Sequence, residues 1–417
     1  MIDAPAAHVL CVGGEDHRLR IPFMLALRDQ GYRVTAAATD DAEPFQQVGI
    51  TYHRFRFERF VNPLADRASI AIVRSLLKQT RPDIVQSFDT KPNVLVPLAA
   101  RGIRDLQVVR TINGMGWVYS SSSPPALALR VVQRVLHRLA AQSVAATVFQ
   151  NRQDQEFFLR HRMLGTGHNQ LIPGSGIDID AFERDWAKGA SPAQLRAKLG
   201  LGTSEVVVTV TRLTRQKGIP TLLRAAALIH KVRPDVRFLL VGSRETEGRL
   251  AISKEEIERH SPYVMAIGQR ADVPALLRLA NVFAFPTEYR EGIPRVLLEA
   301  GLAGLPIVTT NMPGCTDVVR DGWNGFLVRR HSPSALAFRK LDLLDDRPAA
   351  RAMGERTGEL VRREFGLNLT VSRYCSLYAR LLRKARVSEM PEKMVPETGG
   401  LAAGPKSGGS PLVKNWS

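Results

Sequence analysis

Cysteine is scarce in this 417-residue chain, which has only Cys11, Cys315 and Cys375. The three form neither an even set nor the spacing of a metal site, so we expect a reducing compartment and no disulfide framework. Long apolar runs are also missing, so no stretch of about 18 residues is expected to span a bilayer. The first twelve residues have no cationic start and no sustained apolar segment, so we expect no secretory signal.

Acidic residues are outnumbered, with 40 Asp and Glu against 58 Lys and Arg and a formal net charge of +18. This excess implies an anionic partner: nucleic acid, an anionic lipid surface or a phosphorylated substrate. No zinc-finger, RNP or helix-turn-helix signature is present, so nucleic acid is not expected. The apolar fraction of 44% and charged fraction of 24% are typical of a soluble globular protein. At this length the chain should form about two domains.

One local basic cluster stands out at residues 53–61, with the sequence HRFRFERFV. If this segment is extended, Arg and Phe alternate between its two sides. It could then be a loop that seats on a membrane surface, with cations at headgroups and rings at the acyl boundary. The alternative is an ordinary strand with a buried Phe face and a solvated Arg face.

Strands and helices alternate along the chain with short connections, which predicts parallel sheets covered on both faces. The pattern restarts after residue 200 with the Val-rich segment 205–211, a sequence typical of a fully buried strand. Further strands are predicted at 8–12, 32–38, 83–87, 107–111, 145–150, 237–241, 263–268, 282–286 and 306–309, and helices at 22–30, 69–79, 93–100, 126–142 and 219–231.

The predicted fold is therefore α/β, with two facing doubly wound Rossmann-like domains and a cleft between them. The expected boundaries are 1–175 for the first domain and 176–367 for the second, with a hinge in residues 171–178. A helix over 368–386 follows, which could cross back to the first domain, and the Gly-, Pro- and Ser-rich residues 387–417 are expected to be disordered. Ligands of such sheets bind at the carboxyl ends of the strands, so the interdomain cleft is the expected site.

Two basic residues follow the first strand of the second domain, Arg212 and Lys217. Both could point at a diphosphate, the guanidinium as a fork and the ammonium as a point charge. Fixed cations there would stabilise the negative charge that builds on a departing nucleoside diphosphate. In the first domain, Gly13 and Gly14 follow the first strand. They could let backbone amides approach a phosphate, or they could form an ordinary turn.

Two glutamates eight residues apart, Glu291 and Glu299, lie in the run YREGIPRVLLE. Pro294 is suited to be the first residue of a helix that ends at Gly304. The two carboxylates should then be about 10–12 Å apart, with the positive helix N-terminus between them as a site for a diphosphate. This matches the span from ribose to sugar in a nucleotide diphosphosugar, although first-turn acidic residues also occur for purely structural reasons.

The motifs that carry a family resemblance are Arg212, Lys217-Gly218, the run from Glu291 to Ala300, Pro313-Gly314 and the turn from Asp321 to Gly325. Over residues 8–385 the chain resembles retaining glycosyltransferases of family 4. The form REGIPR is similar to members that act on polyprenyl-diphosphate-linked glycans, such as bacillosaminyl-lipid α-1,3-GalNAc transferases. The resemblance implies the glycosyltransferase B-type fold. It also implies that Arg212 and Lys217 hold the diphosphate, that Glu299 binds the ribose, and that Glu291 binds the donor sugar with help from the amides of Gly292 and Ile293. It implies no metal cofactor.

One departure from the family pattern concerns Asn113, which stands where many members have a histidine. An asparagine can hydrogen-bond a sugar hydroxyl but cannot serve as a general base near neutral pH. Catalysis would then depend on electrostatics. A phosphate oxygen of the sugar donor would take the proton from the acceptor hydroxyl, which attacks the sugar on the face that the leaving group departs from. The resemblance implies this route for retention of configuration.

The expected function is transfer of a hexose or HexNAc from a UDP-sugar to a lipid-diphosphate-linked glycan, in surface polysaccharide or glycan assembly. The enzyme would be cytoplasmic and peripheral at the anionic inner face of the cell membrane. One alternative is an isomerase of the nucleotide-sugar 2-epimerase type, which needs acid and base side chains beside the sugar; no His or Asp is evident in the first-domain loops. The other alternative is a non-catalytic anion-binding scaffold.

Overall fold

A computed structural model describes residues 6–14, 16–55 and 62–389. The first half of the chain forms a seven-stranded parallel sheet in the order β3-β2-β1-β4-β5-β6-β7. Its strands are β1 (His8–Val12), β2 (Arg33–Ala38), β3 (Thr51–Arg54), β4 (Ile84–Phe88), β5 (Gln107–Ile112), β6 (Ala146–Phe149) and β7 (His168–Leu171).

Helices cover both faces of this sheet, as the strand–helix alternation predicts. The helices are α1 (Ile21–Asp29), α2 (Glu43–Gln46), α3 (Pro63–Thr80), α4 (Pro92–Ala100), α5 (Gly116–Ser120), α6 (Pro124–Ala141) and α7 (Arg152–Arg160). Helices α3, α4 and α6 lie side by side, with α4 packed against both of the others. Leu10, Val85, Val96 and Val73 are buried between this layer and the sheet.

The second sheet has six parallel strands in the order β10-β9-β8-β11-β12-β13. Its strands are β8 (Glu205–Val210), β9 (Val236–Val241), β10 (Val264–Ala266), β11 (Val282–Phe285), β12 (Ile307–Thr310) and β13 (Gly325–Val328). The remaining helices are α8 (Ile179–Lys188), α9 (Pro192–Lys198), α10 (Ile219–Val232), α11 (Lys254–Glu258), α12 (Val273–Leu279), α13 (Arg295–Leu302), α14 (Cys315–Val318), α15 (Pro333–Asp345), α16 (Arg347–Glu364) and α17 (Leu367–Glu389).

The chain passes between the two sheets twice, and the two connections lie side by side. Ile177 donates its backbone N–H to Phe365 and accepts one from Leu367, both at 2.9 Å. Gly176 has φ +78°, and a Cβ on it would lie 2.8 Å from the Cα of Leu367, so this close approach requires glycine. The pairing ties the hinge segment to the start of α17.

Helix α17 returns to the first sheet and packs against α1. Two of its tyrosines are buried there. The Tyr374 hydroxyl is 2.8 Å from Oγ1 of Thr111, and the Tyr378 hydroxyl donates to Oε1 of Gln86 at 2.9 Å. The first sheet therefore has a helix from the far end of the chain in its core. The expected boundary at residues 175 and 176 stays a prediction.

The two-domain α/β fold with parallel sheets is confirmed, with differences at the level of single elements. Three strands were not predicted from the sequence: β3, β7 and β13. Strand β7, for example, has exposed polar residues at His168 and Asn169, so it lacks the apolar pattern that identified the predicted strands. Pro294 is the residue before α13 rather than its first residue, because its ψ of 113° is extended. Gly304, at φ +68°, follows the end of that helix as expected.

The Arg–Phe cluster falls partly on β3, which ends at Arg54, and Phe55 is buried against the first sheet. Helix α17 extends to Glu389, three residues into the segment that was expected to be disordered. Residues 56–61 and 390–417 lie outside the described residues, so the membrane-loop interpretation and the rest of the disordered tail stay predictions. Of the helices that the structure describes, none combines the length and apolar character needed to cross a bilayer.

Candidate active site

Loops at the carboxyl ends of both sheets meet in one place. The loop after β5 and the loop after β11 form an antiparallel bridge between Gly114 and Glu291. The segment 290–293 is also held by side chains that follow β5 and β6. Ser120 Oγ accepts from the Arg290 N–H at 2.8 Å, and Gln150 Oε1 accepts from the Ile293 N–H at 3.3 Å. The segment with the expected donor-sugar ligands is therefore fixed by the first domain.

Three glycines allow this contact between loops. A Cβ on Gly114, which has φ +104°, would lie 2.7 Å from the carbonyl oxygen of Arg290. A Cβ on Gly314, at φ +82°, would overlap the carbonyl oxygen of Gly292, and a Cβ on Gly292 would lie 2.8 Å from the backbone of Asn113. The backbones of three separate loops thus approach one another so closely that a side chain at any of these three glycine positions would not fit.

A buried ion pair also spans the interface. Arg290 NH2 is 2.6 Å from Oδ1 of Asp154 on α7, whose side chain is fully buried. Burial raises the pKa of Asp154, and the charge of Arg290 and the hydrogen bonds from Arg290 and Asn151 oppose that shift. Asn151 also donates to the Glu291 carbonyl at 3.2 Å. These contacts fix the orientation of the Glu291 backbone within the cleft.

Lys217 and Glu291 pair with each other at the edge of the second sheet. Lys217 follows β8 and Glu291 follows β11, which are adjacent strands. The Lys217 ammonium donates to Oε1 of Glu291, and both side chains are nearly buried. Thr287 Oγ1 is 3.3 Å from the same carboxylate oxygen. The ammonium also lies 5.0 Å from the centre of the Tyr289 ring, a distance at which a cation and an aromatic face attract.

Arg212 lies on the same loop after β8 but has a different partner. Its guanidinium NH1 is 3.1 Å from Oε2 of Glu247, and the Arg212 side chain is 38% exposed. The loop is held by a backbone bridge between Thr214 and Ala251 and by the N–H of Ile252, which donates to Leu213 at 2.9 Å. Arg212 is therefore the more exposed of the two basic residues on this loop, and Lys217 is the more buried one.

Glu299 lies one turn inside α13, as expected from the spacing. Its carboxylate accepts from Nε of Arg295 at 2.9 Å, an ion pair between residues four apart in one helix. The first turn of α13 has no acidic residue, and Pro294 gives it no side-chain cap. The helix N-terminus between Glu291 and Glu299 is therefore the kind of positive end that binds an anion.

Asp89, which follows β4, contacts two of the candidate site residues and was not among those named from the sequence. Its Oδ1 is 2.9 Å from Arg20 NH2 and 2.6 Å from Nδ2 of Asn113, and its Oδ2 accepts the Gly14 N–H at 2.9 Å. Burial would raise the pKa of Asp89, but Arg20 and the hydrogen bonds from Asn113 and Gly14 outweigh it and lower the pKa. Asn113 and Gly14 are thus both engaged by this carboxylate.

His17, close to Asp89, was missed as well. Its ring is fully buried, mainly against Phe45 and Phe88, and burial followed by the charge of Arg20 lowers its pKa to about 3. Gly13 makes room for it, because a Cβ there would overlap the ring. The first-domain loops therefore do contain a His and an Asp close together, contrary to the expectation from the sequence. A signal was available, since both residues closely follow predicted strands.

No three His, Cys, Asp or Glu residues in the described ranges are grouped as metal ligands would be. The structure brings Gly114, Lys217, Glu291, Gly292 and Gly314 together, with Asn113 alongside Gly292. Gly13, Gly14 and Asn113 surround Asp89 and His17, while Arg212 and Glu299 have partners of their own. The role of each residue toward a substrate stays a prediction.

Two family models match most of the chain. Residues 23–173 match the glycosyl transferase 4-like domain, and residues 193–359 match the glycosyl transferases group 1 model. The first match covers most of the seven-stranded sheet, and the second includes all six strands of the other sheet with Arg212, Lys217, Glu291 and Glu299.

Curated relatives are similar at low identity over most of their length. The N,N'-diacetylbacillosaminyl-diphospho-undecaprenol alpha-1,3-N-acetylgalactosaminyltransferase of Campylobacter jejuni is 24% identical over 89% of this chain and 97% of its own. The UDP-Gal:alpha-D-GlcNAc-diphosphoundecaprenol alpha-1,3-galactosyltransferase of Escherichia coli is 27% identical over 69% of this chain and 73% of its own. Anabaena HepE, solved in complex with UDP-glucose, has a TM-score of 0.72 at 19% identity, with 89% and 99% of the two chains covered, and supports the fold alone.

Proposed function

The chain is a glycosyltransferase with a 4-like domain and a group 1 domain, and we propose that it moves a hexose or HexNAc from a UDP-sugar to a polyprenyl-diphosphate-linked glycan with retention of configuration. The observation on which this rests is the Lys217–Glu291 pair at the meeting point of the two domains. Asp89 and His17 give the first-domain loops side chains of the kind that an isomerase would need, but the pKa of Asp89 is lowered and the His17 ring is fully buried, so neither is suited to exchange a proton with a sugar. The non-catalytic scaffold has no specific observation in its favour.

The donor would bind along the carboxyl edge of the second sheet. Its diphosphate would lie near Arg212, Lys217 and the N-terminus of α13, which supply positive charge without a metal cofactor. Lys217 would exchange Glu291 for the diphosphate as its partner, and this exchange would free the Glu291 carboxylate to accept hydrogen bonds from the sugar hydroxyls. Glu299, on the far side of the α13 N-terminus from Glu291, would bind the ribose.

The reaction would break the bond between the sugar C1 and the UDP oxygen and form one to the acceptor hydroxyl on the same face. The proton of that hydroxyl would go to a phosphate oxygen of the departing UDP. This route is supported by the lack of a suitable base on the first-domain side. Asn113 is no base, and Asp89 is a weak one because Arg20 and two hydrogen bonds lower its pKa despite its burial. Catalysis would come mainly from Lys217 and Arg212, which stabilise the charge on the departing diphosphate.

The acceptor assignment is supported by charge and by relatives. Both curated relatives above are named for acceptors or substrates on diphospho-undecaprenol, which has an anionic diphosphate and a lipid tail. The net charge of +18 suits that diphosphate and an anionic membrane. We therefore propose a role in surface polysaccharide or glycan assembly, with the enzyme peripheral at the inner face of the cell membrane.

A panel of radiolabelled UDP-sugars, incubated with membranes that contain diphosphate-linked acceptors, tests this proposal. Label in the organic-extractable lipid from one donor would support it and identify the sugar. Label that remains in the aqueous phase as a changed sugar nucleotide would contradict it and favour an isomerase. Transfer from GDP-sugars alone would contradict the choice of donor.

A further inference from the structure

Helix α6 presents an apolar surface to solvent. Five large apolar side chains on it are exposed: Leu127, Val131, Val132, Val135 and Leu139. Spaced mainly three and four residues apart, they occupy one side of the helix. A surface helix normally has its apolar residues toward the core and its polar residues outward. Here the pattern is inverted, and we call these five residues the α6 outer face.

The opposite side of α6 already forms the core contact. Ala126, His137, Ala140 and Ala141 are buried, and α6 packs against α4 and α5 on that side. The helix therefore needs no apolar outer face in order to fold onto the sheet. Within the described part of the chain, the five side chains remain exposed to solvent. An exposed patch of this kind marks an interaction surface.

The charge that α6 itself contributes is of one sign. Helix α6 has arginines at positions 130, 134 and 138 and no Asp or Glu. Arg138 is exposed, and its guanidinium donates to the carbonyl oxygen of His161 at 2.9 Å. On either side of that histidine, Arg160 and Arg162 are exposed as well. A helix with an apolar face bordered by arginines is typical of segments that lie in the interface of an anionic bilayer.

The position of α6 relative to the cleft is fixed. Arg130, in its second turn, donates to the carbonyl oxygens of Val118 at 2.8 Å and Ser121 at 2.7 Å. The intervening Ser120 accepts the backbone N–H of Arg290 at the interdomain contact. The α6 outer face thus begins near the end of the helix that contacts the cleft and extends about 18 Å along the helix, from Leu127 to Leu139.

We propose that the α6 outer face is the surface that seats the enzyme on an anionic membrane, with its side chains at the acyl boundary and Arg138 among the headgroups. The inference rests on the proposed lipid-linked acceptor, whose diphosphate would then stand at the level of the cleft. A second copy of the chain fits less well, because it would bring two clusters of arginines together in a protein with a net charge of +18.

Vesicle sedimentation of the full chain tests this surface. The variant Val131→Asp/Val135→Asp should lower partitioning onto vesicles of equal parts phosphatidylglycerol and phosphatidylcholine by more than about tenfold. The control is Val232→Asp/Leu228→Asp on α10, also exposed and four residues apart; Val232 is 63% exposed and Val131 is 61%. The control should bind as the wild type does. Arg138→Gln should lower binding about fivefold, and only to the anionic vesicles.

Transfer to a short-chain, water-soluble diphosphate-linked acceptor separates this inference from the function. If the Val131→Asp/Val135→Asp variant keeps wild-type transfer there but loses both vesicle binding and transfer to the long-chain lipid, the inference is supported. Equal vesicle binding by the variant and its control would overturn it. So would wild-type dimers that the variant converts to monomers without any lipid binding. If no protein transfers sugar to either acceptor, the proposed function fails, whatever the vesicles show.

Discussion

The ammonium of Lys217 donates a hydrogen bond to the carboxylate of Glu291, 74 residues further along the chain. Both side chains are nearly buried, and an unpaired charge is costly in such surroundings, so each side chain compensates the charge of the other. A bound diphosphate would offer Lys217 a partner with more negative charge. We therefore propose that the pair couples arrival of the donor to release of the Glu291 carboxylate toward the sugar.

Lys217→Gln should reduce transfer strongly and leave the fold intact. Glutamine can still hydrogen-bond Glu291, but it provides no charge for the leaving diphosphate, so transfer should fall by about 10²–10³-fold. The matched control is Arg215→Gln in the same short turn, whose side chain pairs with Glu256 away from the cleft. Single-turnover transfer and thermal melting measure the two effects. Wild-type transfer by Lys217→Gln would refute the role of the ammonium.

Glu299→Ala and Glu291→Ala should separate nucleotide binding from turnover. Loss of hydrogen bonds between a carboxylate and the ribose should weaken UDP binding about tenfold or more in Glu299→Ala. Glu291→Ala should reduce turnover more than UDP affinity, because the sugar rather than the nucleotide contacts that side chain. Calorimetric titration with UDP and steady-state transfer give both quantities. Equal loss of affinity and turnover in both variants would contradict the division of roles.

Gly114→Ala should separate the loops after β5 and β11 and reduce transfer, with the two sheets left intact. The new Cβ would lie 2.7 Å from the Arg290 carbonyl oxygen in a residue whose φ is +104°. Gly322→Ala is the control, since Gly322 also has positive φ, at +72°, but faces open space. Both variants should lose about 1 kcal/mol of stability from backbone strain, and Gly114→Ala should lose more because its Cβ also overlaps backbone atoms. Only the first should lose transfer, and normal transfer by Gly114→Ala would show that the loop contact is dispensable.

Stability should fall as pH drops from 7 to 5, because two buried histidines stay neutral in the folded protein. Burial, followed by Arg20 for His17 and Arg110 for His137, lowers each pKa from 6.5 to about 3. The unfolded chain binds these protons and the folded chain does not. Their contribution is therefore complete above pH 6.5 and is lost as pH falls toward 3.

Each histidine should contribute a slope of about 1.4 kcal/mol per pH unit in the range where only the unfolded state is protonated. The difference between wild type and His17→Phe isolates one of them, since the other titrating groups are common to both proteins. Urea unfolding at several pH values measures the difference. An identical pH dependence in the two proteins would mean that His17 titrates normally in the folded state.

Strand periodicity and turn residues were enough to predict the two parallel sheets and to place Lys217, Glu291 and Glu299 near their carboxyl edges. They could not predict that Lys217 and Glu291 contact each other, because this depends on β8 and β11 being neighbours in the sheet. Asp89 was missed because one carboxylate after a strand is an ordinary pattern. Its importance comes from Arg20, Asn113 and Gly14, which lie on three other segments.

Helix α6 shows a second limit of sequence reasoning. Its apolar spacing predicts a helix, as found, but periodicity does not show which side faces the core. The small residues Ala126, Ala140 and Ala141 allow α6 to approach α4, and this leaves Val131 and Val135 outward. The orientation of the helix is therefore a property of the packing between neighbouring helices.

The central claim is tested most directly by a mass balance on purified acceptor lipid. The amounts of UDP released and of sugar gained by the lipid are measured in the same reaction, followed by mass spectrometry of the product before and after mild acid cleavage of its diphosphate linkage. We expect one UDP for each added sugar, with the sugar on the glycan that acid releases. Release of UDP without a heavier lipid glycan, or a sugar that stays with the polyprenyl phosphate after cleavage, would contradict the account.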